Sequence, residues 1–352
     1  MSSKLTVGVA GAGFIGCKHI EVLQNDPRVD VIGVADPGDN GKKRATAYGL
    51  PCYSSLDTLL AQSPQALVIA TPTELHATQA KQAAEQGVAL FIEKPLTATR
   101  QEVSQLLEVL HSNKTPTLVG HHRRYYPVVQ ETRRLIKEGA IGDLIAVTGQ
   151  WTTRKHDAYF EPDWRQKKAA GPVLTNLVHD LDTLRFICGG IQSVQAQSSR
   201  TRGFEKEDTT ALILTFENSA LGTFMLSDTA PSPWTWEFAM GESTYPALPE
   251  KQNTLHIMGS HAALEFPHLR SWQHTDDDNH WHVPMQSNQL ATGSNTETDF
   301  DAFKEQSAHF VDVARGEVDP LISAADAAAT LLTTLAVLEA AESGERVEVR
   351  SV

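Results

Sequence analysis

Apolar and polar positions follow two regimes along this chain. Up to about residue 120, short apolar runs alternate with longer stretches in which apolar residues recur every three or four positions. Leu5 to Ala10, Val29 to Ala35, Ala66 to Ala70, Val88 to Ile92 and Thr117 to Val119 are apolar and flanked by turn residues, so they read as strands. The stretches at about Phe14 to Gln24, Thr73 to Gln86 and Thr99 to Ser112 read as helices, the last with Leu106, Leu107 and Leu110 at helical spacing. Strands alternating with helices predict βαβ units and a doubly wound parallel sheet.

After Tyr126-Pro127 the elements become fewer and longer. Helices are expected near Val128 to Glu138 and Val173 to Cys188, and strands near Ile145 to Thr152, Val194 to Ser199, Thr209 to Phe216 and Ala220 to Ser227. Consecutive strands joined by short loops argue an antiparallel or mixed sheet. Pro231 to Asn253 and Gln273 to Thr298 lack periodicity and read as long loops; helices return at about Phe300 to Arg315 and Ser323 to Glu342. The expected fold class is α/β with two domains, residues 1–122 and 123–352.

Composition narrows the class of function. The 352 residues are 41% hydrophobic and 21% charged, an ordinary globular balance. Thirty Lys plus Arg against 43 Asp plus Glu gives a net charge of -13, a field that repels phosphate polymers, so no nucleic-acid partner is expected. Three scattered cysteines, Cys17, Cys52 and Cys188, fit a reducing compartment. With no apolar leader and no uninterrupted run of bilayer length, the chain reads as a soluble cytoplasmic protein without a membrane partner.

The most specific motif is Gly11-Ala12-Gly13-Phe14-Ile15-Gly16, a G-x-G-x-x-G placed between a strand and a helix. Gly11 allows the turn, Gly13 lets a pyrophosphate approach the backbone, and Gly16 lets helix and strand pack closely. Asp36 ends the second strand about 20 residues further on, where a carboxylate accepts hydrogen bonds from ribose hydroxyls and repels a 2'-phosphate. NAD is therefore favoured over NADP, although Lys42, Lys43 and Arg44 follow closely.

Two further stretches sit at the carboxyl ends of expected strands, where open α/β sheets bind ligands: Thr71-Pro72 with His76, and Glu93-Lys94-Pro95. Lys94 follows an apolar run, which places its ammonium at the sheet edge, able to polarise a carbonyl or hold a hydroxyl. In the second domain, Thr175, His179 and Asp182 fall on one flank of the expected helix, with Asn176 and Asp180 further round. His179 suits a proton acceptor near neutral pH. Trp234, in Pro231 to Glu237, reads either as a rigid aromatic wall of a ligand pocket or as an anchor of that loop against the sheet. The cluster from His274 to His282 holds enough nitrogens and carboxylates for a metal, but its spacing specifies no convergence, and a solvated loop is expected instead.

Together these motifs, with Arg123 and Trp164-Arg165, resemble the Gfo/Idh/MocA family of nicotinamide-dependent oxidoreductases over nearly the whole chain. The resemblance implies an N-terminal Rossmann domain and a C-terminal α/β domain with a large open, mostly antiparallel sheet whose outer face makes homodimers or homotetramers. It implies cofactor contacts from Gly11, Gly13, Phe14, Ile15, Gly16, Asp36, Thr71, Pro72, His76, Glu93 and Lys94. Lys94 and His179 become the catalytic pair, and Arg123, Trp164, Arg165, Thr175, Asn176 and Trp234 border the substrate. Many dehydrogenases of the family carry an aspartate four residues before the helix histidine; here that position is Thr175.

The activity this implies is an NAD-dependent dehydrogenase, moving hydride between nicotinamide and a secondary alcohol or ketone of a sugar, sugar acid or cyclitol. A carboxylate-bearing substrate is an option because Arg123, Arg154 and Arg165 can bind one. The alternatives are a non-catalytic nucleotide-sensing regulator, which needs neither Lys94 nor His179, and the family's NAD-dependent glycosidase branch.

Overall fold

The computed structural model of the protein describes residues 3–242, 246, 248, 250, 252–276, 280–290 and 300–350. It divides into two compact units, one of Met1–Tyr125 with Asp299–Leu331, the other of Tyr126–Thr298 with Leu332–Ser351.

In the first unit the elements run β1 (Leu5–Ala10), α1 (Phe14–Gln24), β2 (Val29–Ala35), α2 (Asp39–Ala47), β3 (Cys52–Tyr53), α3 (Leu56–Leu60), β4 (Ala66–Ile69), α4 (His76–Ala84), β5 (Ala89–Ile92), α5 (Arg100–Ser112) and β6 (Thr117–Val119). The strands pair in the order β3-β2-β1-β4-β5-β6, all parallel. Chain order reverses between β1 and β4, which opens a crevice at their carboxyl ends. Val7, Val9, Leu67, Ile69, Leu90 and Ile92 are fully buried, as strands covered on both faces require. β3 escapes the sequence pattern because two residues carry no periodicity. Helix α5 opens with a capping box in which Thr99 and Glu102 satisfy each other's backbone N–H groups.

The second unit contains α6 (Pro127–Lys137), β7 (Leu144–Thr152), α7 (Val178–Cys188), β8 (Ile191–Ser199), β9 (Thr209–Phe216), β10 (Leu221–Ser227), α8 (Trp236–Met240), β11 (Leu255–Gly259), β12 (Ala262–Phe266), β13 (Arg270–His274) and β14 (Met285–Gln289). Then come α9 (Ala302–Ala314), in the first unit, α10 (Ala324–Ser343) and β15 (Val347–Glu348). Nine strands form one sheet in the order β14-β13-β12-β11-β7-β10-β9-β8-β15. Among the described residues only β7 and β10 pair in parallel in this sheet, so it is mostly antiparallel, as expected. Along β9 and β10, Leu212, Leu214, Phe224 and Leu226 face the core while Ile213, Leu221 and Met225 face outward.

Two expected loops contain regular structure. Within Pro231 to Asn253 lies α8, capped by the Thr235 hydroxyl accepting from the Phe238 N–H. Within Gln273 to Thr298, Gln273 and His274 complete β13 and β14 pairs with it. All five β14 residues are exposed, so no apolar alternation marks this edge strand. Helix α10 is long and apolar enough, by length and composition, to cross a membrane. Most of it is buried, with Ala327, Ala328, Leu331, Ala336 and Val337 in the core.

Candidate active site

In the first unit, β1 runs into the glycine loop at the crevice. Gly11 has φ +91°, and a Cβ there would lie 2.6 Å from the Ala70 carbonyl oxygen, so no other residue fits without a backbone shift. A Cβ on Gly16 would meet the Gly11 carbonyl at 2.1 Å, which is the close packing of helix and strand in numbers. Gly13 differs: a Cβ there meets nothing within 4 Å. No side chain caps α1, so its first N–H groups face this open ground with the positive end of the helix dipole. Phe14 is 87% exposed beside it, and Ile15 is half-buried.

Asp36 closes this loop on its other side. Its carboxylate accepts from the Ala12 N–H at 2.9 Å and the Gly38 N–H at 2.9 Å. Helix α2 crosses so close that a Cβ on Gly41 would fall 2.1 Å from the Asp36 carboxyl carbon. Arg44 donates to the Ala12 carbonyl at 2.7 Å, so this arginine is committed to the loop.

The ends of β4 and β5 are tied together by His76, which is 1% exposed. Its Nε2 lies 3.0 Å from the Thr71 carbonyl and its Nδ1 2.9 Å from the Pro95 carbonyl. His76 therefore joins the Thr71-Pro72 turn to the Lys94-Pro95 turn. Glu93 is buried, and one carboxylate oxygen lies 2.7 Å from His19 Nε2 while the other accepts the Lys94 N–H at 3.1 Å. Burial works to raise this carboxyl, but the hydrogen bond from His19 and the nearby positive charges of His19, Lys94 and His122 hold it below the ordinary range. His19 is itself packed edge-on against Phe91 and Phe303. Lys94 thus leaves the sheet from a turn whose preceding residue is locked.

Sequence reasoning missed His19. The signal was a polar residue three positions after Gly16, on the face of α1 that Gly16, Ile20 and Leu23 bury. Arg123 lies in the short turn His122–Tyr125 of the same unit and is 2% exposed.

In the second unit, the single helix expected from Val173 to Cys188 is a π-turn over Val173–Leu177 followed by α7. The wider turn changes the phase, and π-turns of this kind recur at functional sites. The buried Glu207 carboxylate accepts the Val173 N–H at 3.0 Å where the turn begins. Thr175 and Asn176 lie within this turn, the Thr175 hydroxyl 3.0 Å from the Asn176 Oδ1. The polar flank expected on the helix is not a surface: His179, Asp180 and Asp182 are all buried.

A second residue that sequence reasoning missed stands beside Asn176. Lys155, three residues beyond β7, donates from Nζ to Asn176 Oδ1 at 2.9 Å. Its Nζ lies 4.8 Å from the Tyr159 ring centre and 5.5 Å from that of Trp151. Arg165 lies over the same Tyr159 ring at 4.0 Å and donates to the Tyr159 carbonyl at 2.9 Å. Its neighbour Trp164 is 61% exposed. The Thr152 N–H donates to the Trp234 carbonyl at 2.9 Å, which ties that segment to the end of β7. The Trp234 side chain is 40% exposed, whereas Trp236 is core.

The histidine-rich stretch from His274 to His282 connects β13 to β14, and His274 Nδ1 meets the Val283 carbonyl at 2.8 Å. Its Asp277, Asp278 and Asn279 lie outside the described residues. Among the described residues, no three His, Cys, Asp or Glu gather as metal ligands.

Comparison with known proteins gives two family matches. Residues 5–121 match the oxidoreductase family with an NAD-binding Rossmann fold, and residues 129–265 match the GFO/IDH/MocA C-terminal domain. An inositol 2-dehydrogenase of Rhizobium meliloti is 31% identical over 184 residues, 52% of this chain and 54% of that protein. A 2,7-anhydro-N-acetylneuraminate hydratase of Mediterraneibacter gnavus is 26% identical over 193 residues, 53% of this chain and 50% of that protein. The chain spans about half the length of the curated relatives it matches. Among solved structures, the WlbA dehydrogenase from Bordetella pertussis, in complex with NADH and UDP-GlcNAcA, is 21% identical with a TM-score of 0.82 over 99% of both chains. A levoglucosan dehydrogenase in complex with NADH is 20% identical with a TM-score of 0.77, covering 99% of this chain and 100% of that one. At these identities the structural likeness shows the fold.

Proposed function

Because the chain belongs to the Gfo/Idh/MocA family of oxidoreductases with an NAD-binding Rossmann fold, we propose that it is an NAD-dependent dehydrogenase acting on a secondary alcohol or ketone of a sugar, sugar acid or cyclitol. The observation that carries this reading is the Glu93-Lys94 turn. A buried Glu93, fixed by His19, delivers one lysine at the carboxyl end of β5, in the sheet whose glycine loop suits a dinucleotide.

The loop fits the cofactor on its own geometry. The open ground at Gly13 and the uncapped start of α1 leave room and N–H donors for a pyrophosphate. Asp36, the residue after β2, carries a carboxylate that would accept ribose hydroxyls and repel a 2'-phosphate, and Arg44 is engaged by Ala12. These features favour NAD over NADP.

A nicotinamide held there would supply the hydride acceptor for oxidation and the hydride donor for reduction. The Lys94 ammonium hydrogen-bonds the reacting oxygen and stabilises the negative charge that grows on it in the transition state. His179 takes the hydroxyl proton in oxidation and gives it back in reduction. Thr175, Asn176, Arg165, Trp164 and Trp234 are assigned to substrate recognition. Arg123 is nearly fully buried within its turn.

The outward apolar residues Ile213, Leu221 and Met225 support a homo-oligomer that covers this sheet face. Three free cysteines support a reducing, cytoplasmic setting.

The test is NADH formation over a panel of cyclitols, aldoses, uronic acids and hydroxy acids. Steady accumulation of NADH with one class supports the dehydrogenase. Sugar release without net NADH points to a cofactor-recycling glycosidase, and tight NAD binding with no turnover in either direction points to a sensor.

A further inference from the structure

Lys155 has the attributes of a ligand-binding cation with no ligand assigned to it. Only 11% of its side chain is exposed. Of its three N–H donors, one is used by Asn176. The nearest carboxylate oxygen, on Asp228, is 3.9 Å away, beyond hydrogen-bond reach. That same oxygen already accepts from the fully buried Lys206 at 2.7 Å, so Lys206 and Asp228 neutralise each other.

The groups facing Lys155 leave the cluster one positive charge in excess: the Asp228 and Glu237 carboxylates favour its charged form, while Lys206 and Arg165 oppose it. Glu237, on α8, accepts the Trp151 indole N–H at 2.8 Å. Arg165 adds a second cation over the Tyr159 ring, and its buried Nε has no hydrogen-bond partner among the described residues. Two other arginines of this region are committed, since Arg154 and Arg202 both pair with Asp157. The π-turn therefore presents a neutral Thr175 and Asn176 backed by an ammonium. Desolvation by burial lowers the Lys155 pKa to about 8. A buried cation at this depth gains most from an anion that arrives with the ligand.

We propose that Lys155, with Arg165 beside it, receives a carboxylate of the substrate, which makes the substrate class a sugar acid and not a neutral polyol. The inference rests on the dehydrogenase reading for the reaction and on the geometry around Asn176 for the anion. Lys155 is then the specificity-determining residue of the second unit, and Asn176 positions its ammonium.

The experiment pairs D-glucuronate with D-glucose and D-galacturonate with D-galactose. Oxidation is followed with NAD, and calorimetric titration of the same four compounds is run in the presence of NADH, so binding is read even where no probe is oxidised. Wild type is compared with Lys155→Met and with Asn176→Asp, which would pair Lys155 internally; chemical denaturation of each variant reports that it is folded. The expected result is an acid-over-neutral preference of about tenfold or more, falling to near unity in both variants. Acid-selective, Lys155-dependent binding without NADH from any probe would sink the dehydrogenase reading and keep the carboxylate site. Absence of an acid preference, or a preference that survives Lys155→Met, overturns the proposal whether or not NADH appears.

Discussion

His19 bears on the chemistry without reaching the surface. It is 3% exposed, and its ring holds the Glu93 carboxylate that in turn accepts the Lys94 N–H. His19→Ala leaves a buried carboxylate without its partner and is expected to cost about 3 kcal/mol of stability, measured by chemical denaturation. Because the Glu93 pKa is lowered in the fold, this contribution is fully present above the ordinary value of 4.5 and is lost as pH falls through the folded value. The wild type and the variant should therefore converge in stability in acid, and a difference that stays constant with pH would refute the pairing. Lys94 was legible in the sequence because four apolar residues lead to its turn. Lys155 was not, since the run from Thr152 to Asp157 has the composition of a solvated loop. Its burial comes from Trp151, Tyr159 and the Asn176 turn, which one-dimensional spacing does not bring together.

The elements that matter most are β1 with α1 and the π-turn with α7. The first pair depends on the absence of two side chains. Gly11→Ala places a methyl 2.6 Å from the Ala70 carbonyl at a positive φ, so the loop must shift. The expected outcome is at least a tenfold loss of NAD affinity by titration, with the Lys155 site in the other unit still binding its acid probe. Unchanged NAD affinity would remove the loop from cofactor binding. This element was legible because strand, glycines, helix and acid stand in order along the chain. The π-turn was not: its residues satisfy α-helical spacing, and the Glu207 carboxylate that accepts the Val173 N–H at its start is far away in sequence. The β13–β14 hairpin was hidden for a different reason, because an edge strand exposed on every residue shows no alternation.

At the scale of the whole molecule, periodicity read five of the six parallel strands and four strands of the second sheet, β7 to β10, but left β11 to β15 unread. It did not identify the partners of α9, whose Phe303 stacks on His122 and whose Phe310 meets Phe91 edge-on. An apolar helix face states that it is buried and not against what. The outward face of the nine-stranded sheet carries its own expectation. Met225→Lys with Ile213→Asp should lower the oligomeric state measured by sedimentation, since both side chains stand exposed on neighbouring strands. A variant of unchanged mass in solution would show that the assembly, if any, uses another face. Whether Lys94 acts on the reacting oxygen of a substrate oxidised with NAD is decided by steady-state turnover and NAD titration of Lys94→Ala on the best substrate of the panel. Turnover is expected to fall by at least about a hundredfold, with NAD affinity within a few fold of wild type. Near-normal turnover in that variant would contradict that role for Lys94.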